Sequence, residues 1–125
     1  MQNLLIEKTE TTPYVFVDCQ LGLITITGIC IPENPYAFFE PIIKKIDCIS
    51  QTKSDIIFDI YLDYLNSGAS KGLLNLLLKV KEDEKISNSK VVWKIEEEDD
   101  EEARESGEIL EEITDMYFEY VTINS

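Results

Sequence analysis

The chain has 125 residues, an apolar fraction of 44% and a formal net charge of −14. That length suits one domain of the commonest size, about 100–150 residues, with enough apolar mass for a core, so residues 1–125 read as a single domain. The acid excess argues against nucleic acid, which demands a basic footprint, and against anionic membrane surfaces, and it favours basic partners.

In chain order, Tyr14 to Asp18 is the first strand-like run. Gln20-Leu21-Gly22 reads as a turn, and Leu23 to Ile29 alternates apolar residues with Thr, the pattern of a half-buried strand. The two runs form a hairpin. Pro32-Glu33-Asn34-Pro35 is a breaker cluster. A helix follows, with Phe38, Phe39, Ile42, Ile43 and Ile46 at three/four spacing. Pro41 inside it is expected to kink it or to delay its start. Adjacent aromatics on a helix cannot both face the core, so one of Phe38 and Phe39 is expected to be more exposed.

Asp55 to Leu62 is the next strand, and Leu73 to Val80 lies in a Leu-rich helix. Between them runs Tyr64-Leu65-Asn66-Ser67-Gly68-Ala69-Ser70-Lys71-Gly72, read as a Ser/Gly turn from strand to helix. Free backbone N–H groups and a positive dipole end gather at such a place, which suits a phosphate. Ser67 and Ser70 therefore read either as phosphorylation acceptors or as helix caps. Asn66 suits a hydrogen bond to the turn, and Lys71 either pairs with a phosphate or extends into water.

Val91 to Ile95 is a strand, with Trp93 expected in the core. Glu96 to Glu102 is a dense acidic run, and Ile109, Leu110 and Ile113 follow it at helical spacing. We read a helix with an acidic first turn, which complements the helix dipole. Tyr117 to Ile123 closes the chain as a strand. Strands alternating with helices predict right-handed crossovers and a largely parallel part of the sheet, to which the hairpin adds an antiparallel part. The fold class is α/β, a mixed sheet with an N-terminal hairpin and three main helices. The Ser/Gly turn falls at the C-terminal end of a strand, where open α/β sheets place their sites.

Enzyme readings fail on the residues. The chain contains no His, which removes every Ser-His-Asp or Cys-His arrangement. It has no P-loop and no dinucleotide glycine fingerprint. Pairs such as Asp59 and Asp63 arise by chance in a chain with 25 acids. Cys19, Cys30 and Cys48 are widely spaced and odd in number, so they read as small apolar residues rather than a metal or disulfide set. The acidic run lacks the spacing of a calcium loop. No cofactor and no metal are expected. No run approaches the roughly 20 apolar residues of a membrane span, and no signal segment opens the chain, so a cytoplasmic protein is expected.

Several stretches together resemble the SiaC family of bacterial regulatory phosphoproteins. They are Ile6-Glu7-Lys8-Thr9 with Thr12-Pro13, Gly28 to Asn34, Phe38-Phe39-Glu40-Pro41, and Tyr64-Leu65-Asn66-Ser67 with Ser70-Lys71. Glu98-Asp99-Asp100-Glu101, Ser106-Gly107-Glu108 and Phe118-Glu119-Tyr120 complete the set, so the likeness spans nearly the whole chain. The resemblance implies a STAS-like fold, similar to the anti-sigma-factor antagonists, in which a Ser or Thr before a helix is phosphorylated. It implies a partner-switching pathway with a dedicated Ser/Thr kinase, a PP2C-like phosphatase and an effector. In the family the unmodified form activates a diguanylate cyclase, which raises cyclic-di-GMP and favours biofilm. Where the family commonly reads Asn-Thr, this chain reads Asn66-Ser67-Gly68-Ala69-Ser70, so Ser67 takes the acceptor's place and Gly68 and Ala69 replace polar neighbours. The resemblance also points to Phe38 or Glu40, on the helix beside the turn, as partner surface. The competing reading is a constitutive adaptor or small-ligand-binding module of the same fold, with Ser67 a mere cap.

Overall fold

The computed structural model describes residues 2–123, the side chains of Asp99 and Asp100 excepted. Its elements are β1 (Leu4–Ile6), β2 (Tyr14–Asp18), β3 (Leu23–Cys30), α1 (Pro35–Ile49), β4 (Asp55–Leu65), α2 (Ser67–Lys81), β5 (Asn88–Glu96), α3 (Asp100–Thr114) and β6 (Tyr117–Ile123). A 3-10 turn, Glu97–Asp99, leads into α3. The expected hairpin, mixed sheet and three main helices are present among the described residues.

Strand order in the sheet follows chain order, β1 to β6. The β1–β2 and β2–β3 pairs are antiparallel, and β3–β4, β4–β5 and β5–β6 are parallel. Each helix therefore bridges neighbouring parallel strands, and right-handed crossovers in one direction put every helix on the same side. Burial agrees. Val15 and Val17, Ile24 and Ile26, Ile56, Phe58 and Ile60, and Val91, Trp93 and Ile95 are all under the helices. Their alternate neighbours, Phe16, Thr25, Asp59 and Val92, form a cross-sheet row on the uncovered face. Polar pairs occupy that face too: Lys94 Nζ sits 3.0 Å from Asp59, and Lys90 Nζ 2.9 Å from Glu119.

Several expectations need correction. The strand β1 went unread, because three residues are too few for alternation to register; its ladder with β2 makes it a strand. The start of α1 is not delayed by Pro41. Asn34 caps it by accepting from Ala37 N at 3.1 Å, Pro35 opens it, and the helix continues through Pro41, whose ring is exposed to solvent. On α3, only Leu110 of the three apolar residues is buried; Ile109 is 50% and Ile113 55% exposed. The apolar face of α3 is instead completed by small residues, Ala103 and Gly107, over Trp93, whose Nε1 donates to the Ala103 carbonyl at 2.9 Å.

The tightest turn of the hairpin needs its glycine. Gly22 has φ +69°, and a β-carbon there would stand 2.5 Å from the Asp55 carbonyl oxygen. The same residue anchors β4, since Ile57 N donates to the Gly22 carbonyl at 2.9 Å. Cys19 and Cys30 lie in the core and Cys48 is half-buried; all three are free thiols. No helix among the described residues is long and apolar enough to cross a membrane.

Candidate functional site

The candidate site is built at the C-terminal end of β4. Pairing with β3 is regular up to Gly28 with Leu62, then shifts, so that Ile29 faces Tyr64 and Asp63 is the extra residue of a bulge. Bulges re-aim side chains next to sites. Here the bulge lets both Leu62 and Leu65 pack against the core, three residues apart. The chain then passes directly from Leu65 through Asn66 into α2.

No separate Ser/Gly turn exists, which corrects the expected turn from strand to helix. Residues Ser67 to Gly72 form the first turns of α2, which starts six residues before the Leu-rich run. Asn66 is the cap: its Oδ1 accepts from Ala69 N at 2.9 Å, while its carbonyl accepts from Ser70 N at 2.8 Å. That is the hydrogen-bonding role expected of Asn66. Capping by Asn66 relieves Ser67 of the task. Ser67 is the first helical residue, exposed, and its hydroxyl has no partner among the described residues. The backbone N–H groups of Ser67 and Gly68 precede the first intrahelical bond and are left for a ligand or water.

The neighbours separate clearly. Gly68 is exposed and lies beside α1, since a β-carbon on it would meet Pro35 Cγ at 3.4 Å. Ala69 is fully buried, so it supports the site from beneath and offers a partner no surface. Ser70 is half-buried, and Lys71 is exposed one turn after Ser67, on the same face.

The first turns of α1 flank this helix start. Phe39 is in the core, and Phe38 stands edge-on to it at 5.2 Å and is half-buried. The exposed aromatic of α1 is therefore Tyr36, at 74%, rather than Phe38. Glu40 pairs with Lys44 at 3.1 Å. Lys44, with a further hydrogen bond from Tyr36, holds the Glu40 carboxyl below its ordinary range. Sequence reading missed Tyr36, although its spacing of four from Glu40 was a visible signal.

On the other side a cleft of about 210 Å³ separates the end of β4 from α3. Leu62, Asp63, Leu65 and Trp93 line it from the sheet, and Glu102 and Ser106 from the helix. Tyr61 lies on the sheet's other face, hydrogen-bonded to Glu96, and that carboxylate pushes the phenol up to about 12. Of the acidic run, Asp99 and Asp100 fall outside the described side chains. Among the described residues no three His, Cys, Asp or Glu converge as a metal site would require.

The site thus presents an accessible hydroxyl at the start of a helix, at the C-terminal end of a central strand in a one-sided mixed sheet. The family model for the SiaC family regulatory phosphoprotein matches residues 6–123, and the chain belongs to that family. It is similar to apo-SiaC from Pseudomonas aeruginosa, with a TM-score of 0.85 at 24% identity, covering 97% of this chain and 99% of that one. It is similar also to SiaC in the crystal structure of the diguanylate cyclase SiaD in complex with its activator SiaC, from the same organism. There the TM-score is 0.86 at 24% identity, over 96% and 99% of the two chains. These two likenesses are of fold. An uncharacterized protein of Pseudomonas aeruginosa strain UCBPP-PA14 is 30% identical over 78 residues, which span 62% of each chain.

Proposed function

We propose that the protein is a non-enzymatic phosphoswitch of a cytoplasmic partner-switching pathway, with Ser67 as the acceptor. The carrying observation is the division of labour at the start of α2. Asn66 caps the helix, and the exposed Ser67 hydroxyl stays free beside unpaired N–H groups. Half-burial of Ser70 makes it the weaker acceptor. Membership of a regulatory phosphoprotein family supports the same reading.

A phosphate on Ser67 carries about −1.5 to −2 charges near neutral pH. The helix N-terminus accommodates it, so the fold survives modification and the change is confined to the surface that a partner meets. A partner seated over Ser67 and Gly68 would have to desolvate that charge, and is released. A Ser/Thr kinase adds the phosphate, a PP2C-like phosphatase removes it, and the unmodified form engages an effector. SiaC activates the diguanylate cyclase SiaD, so a diguanylate cyclase, and with it cyclic-di-GMP and biofilm control, is the effector class that we assign. Tyr36 and Glu40 form the α1 side of the docking face.

Two variants test the reading. Ser67→Ala keeps the fold and binds the effector whatever the kinase does, and Ser67→Asp keeps the fold and binds it weakly. Equal binding by both variants rejects the proposal.

A further inference from the structure

One stripe on each of α2 and α3 repeats the same spacing: Ser67, Lys71, Leu74 and Leu78 on α2, and Glu102, Ser106, Ile109 and Ile113 on α3. Each set steps by four, three and four residues and so forms one stripe of its helix. Contacts fix where the stripes point. Lys81, three residues after Leu78, donates its Nζ to the Asp115 carbonyl just beyond α3, at 3.0 Å. Lys79, on the opposite flank of α2, reaches Asp47 of α1 at 3.0 Å. The Leu74–Leu78 stripe therefore lies on the flank of α2 next to α3. On α3, Arg104 and Glu111 turn to Tyr120 of β6, at 5.0 and 2.7 Å. Glu102 and Ser106 turn the other way, into the cleft at the end of β4. The Ile109–Ile113 stripe thus borders the groove between α2 and α3.

The apolar lining of this groove is only partly covered by the chain itself. Leu74 and Leu78 are half-buried, and Ile109 and Ile113 are half exposed. Beyond the isoleucines, on the outer face of α3, Glu101, Glu105, Glu108 and Glu112 repeat the same four, three, four spacing, and all are exposed. A groove between parallel helices fits a third helix with its apolar stripe inward. The glutamate row selects an occupant whose outer flank is cationic. A second copy of this chain, at −14, carries the wrong charge.

We infer that the α2–α3 groove is the seat of an amphipathic helix of the effector, apolar toward Leu74, Leu78, Ile109 and Ile113 and basic toward the α3 glutamates. The inference rests on the reading of Ser67 as the switch and says how that switch is read. Ser67 stands in line with Leu74 and Leu78, so its phosphate would lie under the end of the apolar stripe. The basic flank lies across the groove over α3, so charge attraction does not offset that desolvation.

The test is a titration of isotope-labelled protein with a synthetic amphipathic peptide of leucine and lysine, followed by amide shifts. Shifts are expected along both stripes. Ile109→Ser/Ile113→Ser, at exposed positions, should keep the native spectrum and weaken binding about tenfold or more. The same peptide with glutamate for lysine should not bind. Binding that survives the double substitution, binding of the acidic peptide, shifts confined to α1 or the open sheet face, or no binding to wild type each overturns the inference. So does a dimer in sedimentation that the double substitution dissolves, which would make a second copy the occupant. The two readings fail separately: the groove stands if the peptide binds as described while native protein carries no phosphate on Ser67, and the switch stands if Ser67 is phosphorylated while the double variant binds normally.

Discussion

Gly72 of α2 and Phe39 of α1 meet so closely that a β-carbon on Gly72 would stand 2.5 Å from Cδ2 and 2.8 Å from Cε2 of the ring. The contact locks the helix carrying Ser67 to the helix carrying Tyr36 and Glu40. In an open helical site, alanine is favoured over glycine by about 1 kcal/mol. Here overpacking against a buried ring wins, at about 1–3 kcal/mol. Gly72→Ala is therefore expected to lower stability in urea unfolding. A stabilised Gly72→Ala would show that the ring moves freely and that the helices are not locked.

Leu77 is fully buried beneath α2, against the strands that end at the site. Leu77→Ala should cost about 2–5 kcal/mol. A loss under about 1 kcal/mol in chemical denaturation would mean that this face of α2 is not core.

Asn66→Ala removes the cap from Ala69 N and should cost about 0.5–2 kcal/mol. Asn66→Asp keeps an acceptor and should cost far less. The same thermal shift for both substitutions would mean that the side-chain hydrogen bond contributes nothing to the start of α2.

Buried Cys30 gives a pH signature. Burial pushes its thiol up to about 12, above the roughly 8.5 of an unfolded cysteine. The folded state then holds a proton that the unfolded state loses. Its contribution is complete below about pH 8.5 and declines as pH rises toward 12. Tyr61, raised to about 12 by its bond to Glu96, acts with the same sign. Urea midpoints should fall between about pH 8 and pH 11, and Cys30→Ala should fall less steeply over that window. A wild-type midpoint that is flat across it contradicts the assignment.

The alternation in Leu23 to Ile29 and Asp55 to Leu62 made most of the sheet legible, because one covered face imposes a period of two. The start of α2 was harder to read. Ser67, Gly68 and Ser70 are weak helix formers, and the Asn66 cap together with tertiary support, Ala69 in the core and Gly72 against Phe39, makes them helical. The place of Ser67 at a strand-to-helix junction was readable from the Ser/Gly stretch, but the bulge at Asp63 just before it was not, since a bulge has no period. Ile109 and Ile113 marked a helix without telling core from surface, because helical spacing marks a shared face and does not say whether the chain covers it.

The proposed switch requires that Ser67 carry the phosphate. Phosphopeptide mapping of the protein isolated from its native cells, beside Ser67→Ala and Ser70→Ala strains, tests it most directly. Partial occupancy on Ser67 is expected, lost in Ser67→Ala and kept in Ser70→Ala. Phosphate on Ser70 in the wild type would move the acceptor one helical turn, and a wild-type protein unmodified at both hydroxyls, under every growth condition tried, would contradict the switch itself.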